Sequence, residues 1–277
     1  MTPRLAIVIV NFNGRGHLEN CLRSLAAHPP ATPHEVVVVD NASTDDSASS
    51  VAAFPFARLL RLPVNRGFSA GNNAGIRATT GELVLLLNND TIVPEGAIDA
   101  LVARLDAHPE AAIAGPRLVD DRGEPELSFG PMISPFGELR QKLVTGLHAR
   151  GVGFASSWVR RETSREHLVD WVSGACLLVR RAVAERVGLL DERFFLYTED
   201  VDFCASVRGA GWTVLFTPVA EIVHLRGRSR ATAPRQMNAA YRRSHLAFYE
   251  KHHPRWVPVL KVYLKAKGQL PVPDGSN

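Results

Sequence analysis

The sequence lacks the marks that would settle its class at a glance. None of its 277 residues belongs to an apolar run of about 18, so no transmembrane helix is predicted. The opening run Leu5–Val10 is too short for a secretory signal, and no small-residue cleavage site follows it. It reads as a first buried strand, and the chain is expected to be cytoplasmic. Only three cysteines occur, Cys21, Cys176 and Cys204, at spacings that give neither a disulfide framework nor a zinc motif. Both common phosphate loops are missing. No G-x-x-x-x-G-K-[ST] occurs, and the turn Gly14-Arg15-Gly16-His17-Leu18-Glu19 lacks the third glycine of G-x-G-x-x-G. Repeats and low-complexity tracts are absent too. Any phosphate must be held another way, and a hard divalent cation sharing oxygen ligands with it is the obvious means.

What is present is an ordinary globular composition, 45% hydrophobic and 22% charged. The net charge of +4 is unevenly spread. Residues 1–225 carry 21 Lys+Arg against 26 Asp+Glu, a net of −5, and residues 226–277 carry 11 against 2, a net of +9. Such a basic tail suits an anionic partner, phosphates or a membrane surface. No nucleic-acid-binding motif accompanies it. Within the tail, Tyr241–Lys267 interleaves basic residues with Tyr249, Trp256, Leu260, Tyr263 and Leu264, the mixture of an interfacial helix or of a helix packed on the domain.

Strand-like and helix-like segments alternate. Leu5–Val10, Val36–Val39, Ala57–Arg61, Leu83–Leu87 and Ala111–Gly115 read as strands, and His17–Ala27 and Pro94–His108 as helices. Residues 117–170 have weak periodicity and read as a loop-rich insertion. Trp171–Val179 reads as a strand, Ala182–Val187 as a short helix, Val201, Cys204, Ala205 and Val207 as a second one ending at Gly209 or Gly211, and Thr213–Phe216 and Glu221–Leu225 as closing strands. This alternation predicts an α/β fold, a mostly parallel central sheet with helices on both faces.

In such sheets ligands bind beyond the carboxyl ends of the strands. Three apolar runs end there in polar residues: Asn11-Phe12-Asn13-Gly14, Asp40-Asn41-Ala42-Ser43 and Asn88-Asn89-Asp90. Asp40 and Asp90 each have a plain alternative as turn or cap residues. Glu199 and Asp200 open a helix, where acids suit the positive end. They also follow Phe194-Phe195-Leu196-Tyr197, whose apolar surroundings would make a carboxylate a usable base. His224 ends a strand, as either a structural residue or a ligand.

The stretches IVIVNFNG, VVVVDNASTDDS, NRGFSAGNNAGIRATTGELVLLLNNDT, VSGACLLVRR and DERFFLYTEDVDFCASVRGAGW, with a closing VH, occur in order across about residues 5–225. Together they resemble the inverting GT-A-fold glycosyltransferases of family 2, in particular the bacterial group that includes rhamnosyltransferases of cell-surface polysaccharide assembly. The resemblance implies a catalytic domain over 1–227, with a nucleotide-sugar half (1–116) and an acceptor half (117–227), followed by a basic helical tail (228–277). It implies that Asn11, Phe12 and Asp40 hold the nucleotide. Asn65, Arg66, Gly67 and Asn72 would close over the donor, with Asn88 and Asn89 beside it. Asp90 and His224 would ligate Mg2+ or Mn2+. Asp200 would be the base, with Glu199 sharing its role or orienting the acceptor, and Trp171 and Gly174 would line the acceptor site. Arg226, Arg228 and Arg230 would close over the diphosphate.

The donor implied is a nucleotide-diphosphate sugar, dTDP-L-rhamnose or a UDP-sugar, and the acceptor a glycan or polyprenyl-linked hydroxyl. One departure stands out. Many relatives carry Asp where this chain has Asn88, so metal affinity without donor is expected to be poor. Two other readings remain. A nucleotidyltransferase would want a Gly-rich, basic opening turn, and a non-catalytic carbohydrate-binding subunit would not hydrolyse donor.

Overall fold

The computed structural model describes residues 2–134, 153–225 and 234–271. In chain order the elements are β1 (Leu5–Asn11), α1 (Arg15–Ala27), β2 (His34–Asp40), the short α2 (Ser47–Ser50), β3 (Ala57–Arg61), α3 (Gly67–Arg77), β4 (Leu83–Asn88) and β5 (Thr91–Ile92). Then come α4 (Ala97–Ala107), β6 (Ala111–Val119), β7 (Phe129–Gly130), α5 (Gly153–Glu162), β8 (His167–Val169), β9 (Trp171–Val172) and β10 (Cys176–Arg180). The last are α6 (Arg181–Arg186), α7 (Glu199–Gly209), β11 (Thr213–His224), α8 (Pro234–His252) and α9 (Val257–Ala266).

The main sheet has the order β3-β2-β1-β4-β10-β6-β11-β5, with β8 on β11. It is mixed. Strands β3, β2, β1 and β4 are mutually parallel, and β6 is parallel to β11. β10 runs antiparallel to both β4 and β6. The unbroken burial of β1 requires cover on both faces. Leu5, Ile7 and Ile9 pack with α1 and α4 on one side, and Val8 and Val10 with α3 and α7 on the other. Helix α3 lies so close that a Cβ on Gly75 would run into the side chain of Val8. Gly75 is therefore a contact residue of the sheet.

Several boundaries differ from the sequence reading. The run Trp171–Val179 is broken at residues 173–175: β9 pairs with β7, and only β10 joins the main sheet. The two closing strands are one, β11, with a register shift between Thr217 and Glu221. The helix expected from Pro94 begins at Ala97, because Gly96 at φ +70° makes a turn first.

The described part of the tail is packed on the domain. Phe248, Tyr249, Leu260 and Leu264 form an apolar cluster with Phe194 and Val201. Polar contacts pin α8 in place: Lys251 Nζ lies 2.8 Å from Asp202 Oδ2 and 3.0 Å from Asp191 Oδ2, and His252 Nε2 lies 2.6 Å from Asp202 Oδ1. The Ser244 hydroxyl donates to the Leu196 carbonyl at 2.8 Å.

Candidate active site

Strand register builds the site's floor. Asn11 stands opposite Asp40, and Val10 opposite Asn88, so the three polar strand ends finish almost flush. They then bond to one another. Asn89 Nδ2 donates to Asn11 Oδ1 at 2.7 Å, and Asn11 Nδ2 donates to Ser47 Oγ at 2.8 Å. Asp40 is buried and accepts the Ser43 N–H at 3.3 Å, a turn contact and not a helix cap, since α2 begins at Ser47 with Asp46 at its cap, while Phe12, just past the end of β1, is 48% exposed. A bare aromatic ring at a strand end next to a buried carboxylate is a platform with a hydrogen-bonding edge.

The loop over this floor is tied down by amides. Asn41 Nδ2 donates to Asn65 Oδ1 at 2.9 Å and to the Gly67 carbonyl at 3.0 Å, and the Gly67 N–H donates to Asn65 Oδ1 at 2.9 Å. Gly67 has φ +87°, and a Cβ there would sit 2.5 Å from the Phe195 carbonyl oxygen. Asn65 and Gly67 thus shape the loop. Arg66 reaches outward to Glu192 at 2.8 Å. Asn72 is not brought to the site surface: it is buried and donates to the Phe68 carbonyl of its own helix at 3.0 Å.

On the opposite side, β10 enters the sheet from the carboxyl end of β4. This places the turn 173–175 against Asn88, whose N–H donates to the Ala175 carbonyl at 2.9 Å. The neighbouring Gly174 N–H donates to Asp200 Oδ2 at 2.9 Å, and the Val201 N–H donates to Asp200 Oδ1 at 2.8 Å. A short relay of backbone bonds therefore fixes Asp200 to the strand end that carries Asn88. Burial pushes the Asp200 carboxyl above the usual range, against the pull of these N–H groups. Trp171 sits lower, with its indole N–H donating to the Pro131 carbonyl at 2.9 Å. It packs against both the core and the tail cluster.

Glu199 differs from its neighbour. It is buried, and its Oε2 has no hydrogen-bond partner among the described residues. Burial, then the nearby Asp200 charge, pushes its carboxyl well above the ordinary range. Below the ordinary glutamate pKa both folded and unfolded chains are protonated, and Glu199 has no effect on stability. As pH rises past that value the unfolded chain ionises first, so stability falls until the folded pKa is reached. Glu199→Gln is accordingly expected to raise Tm by several degrees at pH 7–8, a domain of this size moving about 2–4 °C per kcal/mol. The gain should fade as the buffer is taken below the ordinary glutamate range. Calorimetric scans of both proteins across that range check it.

The third group lies where β11 pairs antiparallel with β5, with His224 opposite Thr91. His224 Nε2 comes 3.3 Å from Asp90 Oδ1, although the two residues are far apart in the chain. His224 Nδ1 is 3.3 Å from Glu126 Oε2. Burial opposes a charge on His224, but the two carboxylates outweigh it and push the imidazole up to about 9. The Asp90 carboxyl is raised by its own burial and brought below its usual range by His224. Sequence reading did not find Glu126. It lies within the aperiodic 117–170 stretch, and its only signal was an acid among few apolar neighbours.

Asp90 and His224 could supply two ligands of a divalent ion, the other positions falling to other groups, since among the described residues no three His, Cys, Asp or Glu side chains are arranged as a metal site. Neighbouring ligands of one octahedral ion stand about 3 Å apart, close to the Asp90–His224 spacing. A ligating imidazole usually donates its other N–H to a carboxylate, which is where Glu126 sits. On the same strand end Asn88 Oδ1 is buried with no partner among the described residues. Arg226, Arg228 and Arg230 lie outside the described residues.

The model for glycosyl transferase family 2 matches residues 6–168. The chain belongs to glycosyl transferase family 2. It is 32% identical over 269 residues to the N-acetylglucosaminyl-diphospho-decaprenol L-rhamnosyltransferase of Mycobacterium tuberculosis, covering 92% of this chain and 87% of that one. It is 27% identical over 228 residues to a low-salt glycan biosynthesis hexosyltransferase of Haloferax volcanii, covering 81% and 68%. Among solved structures, GalNAc-T7 with UDP, GalNAc and Mn2+ superposes with a TM-score of 0.64 at 14% identity; 98% of this chain spans 55% of that one. The Pyrobaculum calidifontis mannosyltransferase with GDP-Man and Mn2+ gives 0.60 at 20% identity, over 94% and 68%. The fold is GT-A, and this family 2 chain is a glycosyltransferase of the rhamnosyltransferase-like kind.

Proposed function

We propose that this enzyme transfers L-rhamnose from dTDP-L-rhamnose, with inversion, to a hydroxyl of a polyprenyl-diphosphate-linked GlcNAc acceptor in cell-surface polysaccharide assembly. The sugar and the acceptor rest on the name of the mycobacterial relative. The mechanism rests on one observation above all, the backbone relay that fixes Asp200 to the strand end carrying Asn88.

The thymine base stacks on Phe12 and bonds to Asp40, and the loop of Asn65, Arg66 and Gly67 covers the donor. Asp90 and His224 would hold Mg2+ or Mn2+, and the ion would supply positive charge against the growing charge of the departing diphosphate. Asn88 and Asn89 offer neutral amides beside the donor. Asp200 takes the proton of the acceptor hydroxyl as its oxygen bonds to the anomeric carbon. The bond from that carbon to the diphosphate breaks on the opposite face, and the nucleoside diphosphate carries away the electron pair. A single base suffices for this inverting displacement. Gly174 leaves the approach to Asp200 open, since a Cβ there would lie 3.3 Å from the Asp200 Cβ. Trp171 lines the acceptor side.

The test is a transfer assay with dTDP-L-rhamnose, UDP- and GDP-sugars on a short-chain polyprenyl-diphospho-GlcNAc, with product configuration read by NMR. Rhamnosyl product of inverted configuration is expected. A clear preference for another donor, or retained configuration, overturns the reading.

Glu126 acts here through His224. Glu126→Gln is expected to weaken Mn2+ binding by the enzyme–dTDP complex about 10–100-fold, read by calorimetry. Unchanged Mn2+ affinity would remove Glu126 from the metal centre.

A further inference from the structure

Helix α9 has two apolar faces, and the fold uses one. Leu260 and Leu264 point inward and are buried. Val259, Val262 and Tyr263 are exposed at 57%, 70% and 51%, as is Trp256, in the 3-10 turn just before the helix, at 41%. Their spacing places them together on the outer side. Flanking them are Arg255, Lys265 and Lys267, all exposed, while Lys261 turns toward the packed side of the helix. No acidic residue occurs between Glu250 and Asp274. Glu250 itself meets Lys261 at 3.5 Å, with both side chains about half exposed.

We propose that this outer face of α9 docks on an anionic lipid bilayer. An apolar stripe edged by lysines inserts among acyl chains while the ammonium groups meet lipid phosphates. Charge selects this occupant over a second copy of the chain. Two such faces would set like charges against each other, whereas an anionic bilayer complements them. The orientation follows from the packing of α9. Its inner face shares a cluster with Phe194 and Val201, and Val201 adjoins Asp200. The same cluster touches Trp171. The docked face is therefore rigidly joined to the wall that carries the base. The inference deepens the reading of a lipid-linked acceptor and rests on it for its purpose, although docking itself needs no substrate.

The full chain is sedimented with phosphatidylcholine vesicles, with and without about one third phosphatidylglycerol. Binding to the anionic vesicles is expected, falling with salt and weak on the neutral ones. The double variant Val259→Asp, Val262→Asp replaces exposed residues and is expected to keep its Tm while losing about tenfold or more of vesicle partition. Transfer to a water-soluble, short-chain acceptor should be unchanged in that variant. Equal binding by parent and variant overturns the proposal, as does no binding by the parent. So does a dimer, seen by light scattering, that the double variant dissociates without any vesicle binding by the parent. Vesicle binding with no transfer to GlcNAc acceptors would instead sink the proposed reaction and leave docking standing.

Discussion

Asp200→Asn is expected to lower kcat by about 10²–10⁴-fold, the usual worth of a positioned general base, and to leave donor affinity nearly unchanged. The amide keeps the shape and its oxygen can still accept the Gly174 N–H, at the cost of the Val201 N–H contact, so a modest drop in Tm but a folded protein is expected. What it loses is the ability to take a proton. Single-turnover transfer and equilibrium donor binding, measured side by side, separate the two. Near-normal turnover would exclude Asp200 as the base. The pH profile adds a second check. Asp200 works only when ionised, and burial holds its carboxyl above the usual aspartate range. The acid limb of kcat/KM should therefore lie above that range, with activity rising as pH increases through it. Glu199 is a weaker candidate for base. Its Oε2 is buried, with no partner among the described residues, so Glu199→Gln should retain much more activity than Asp200→Asn.

Asp90→Asn is expected to cost roughly 10³-fold in kcat/KM, since Lewis-acid stabilisation of a leaving diphosphate is worth several kcal/mol. Asp90 is the only carboxylate in the triplet Asn88-Asn89-Asp90. His224, between Asp90 and Glu126, is protonated near neutral pH in the free protein, its pKa being pushed up to about 9. A metal must displace that proton before the imidazole can bind it. Both facts point the same way. Free protein should bind Mn2+ weakly, and dTDP should tighten that binding by adding diphosphate oxygens. Titration calorimetry with and without dTDP reads this directly. Tight Mn2+ binding to the free protein would contradict it, as would Asp90→Asn with unchanged activity.

Much of the site was legible because a parallel sheet converts strand ends into neighbours. An apolar run such as Leu5–Val10 stops where its chain leaves the core, so the residues that follow, Asn11 and Phe12, lie on the ligand edge. The same argument placed Asp40 and the Asn88–Asp90 triplet. Asn72 was implied by the resemblance alone. Position in a loop-to-helix stretch did not say which way the side chain turns, and α3 packs against β1 so tightly that Asn72 is interior. Glu126 carried no signal in the sequence, since no periodicity marks a residue whose importance comes only from its partner across β11.

By itself the sequence determined the order of strands and helices, the polar ends of the first strands and the acidic pair at the start of α7. Those are local matters of burial period, turn chemistry and residue type. The tertiary structure decided the rest. A run buried on both faces, such as Cys176–Arg180, fits a sheet in either direction, and only the assembled sheet makes β10 antiparallel and brings Gly174 and Asp200 to Asn88. Pairing of β11 with β5 is equally non-local, and it alone joins His224 to Asp90. The tail's composition was plain in the sequence, yet only packing on Phe194 and Val201 decided which face of α9 remains outside.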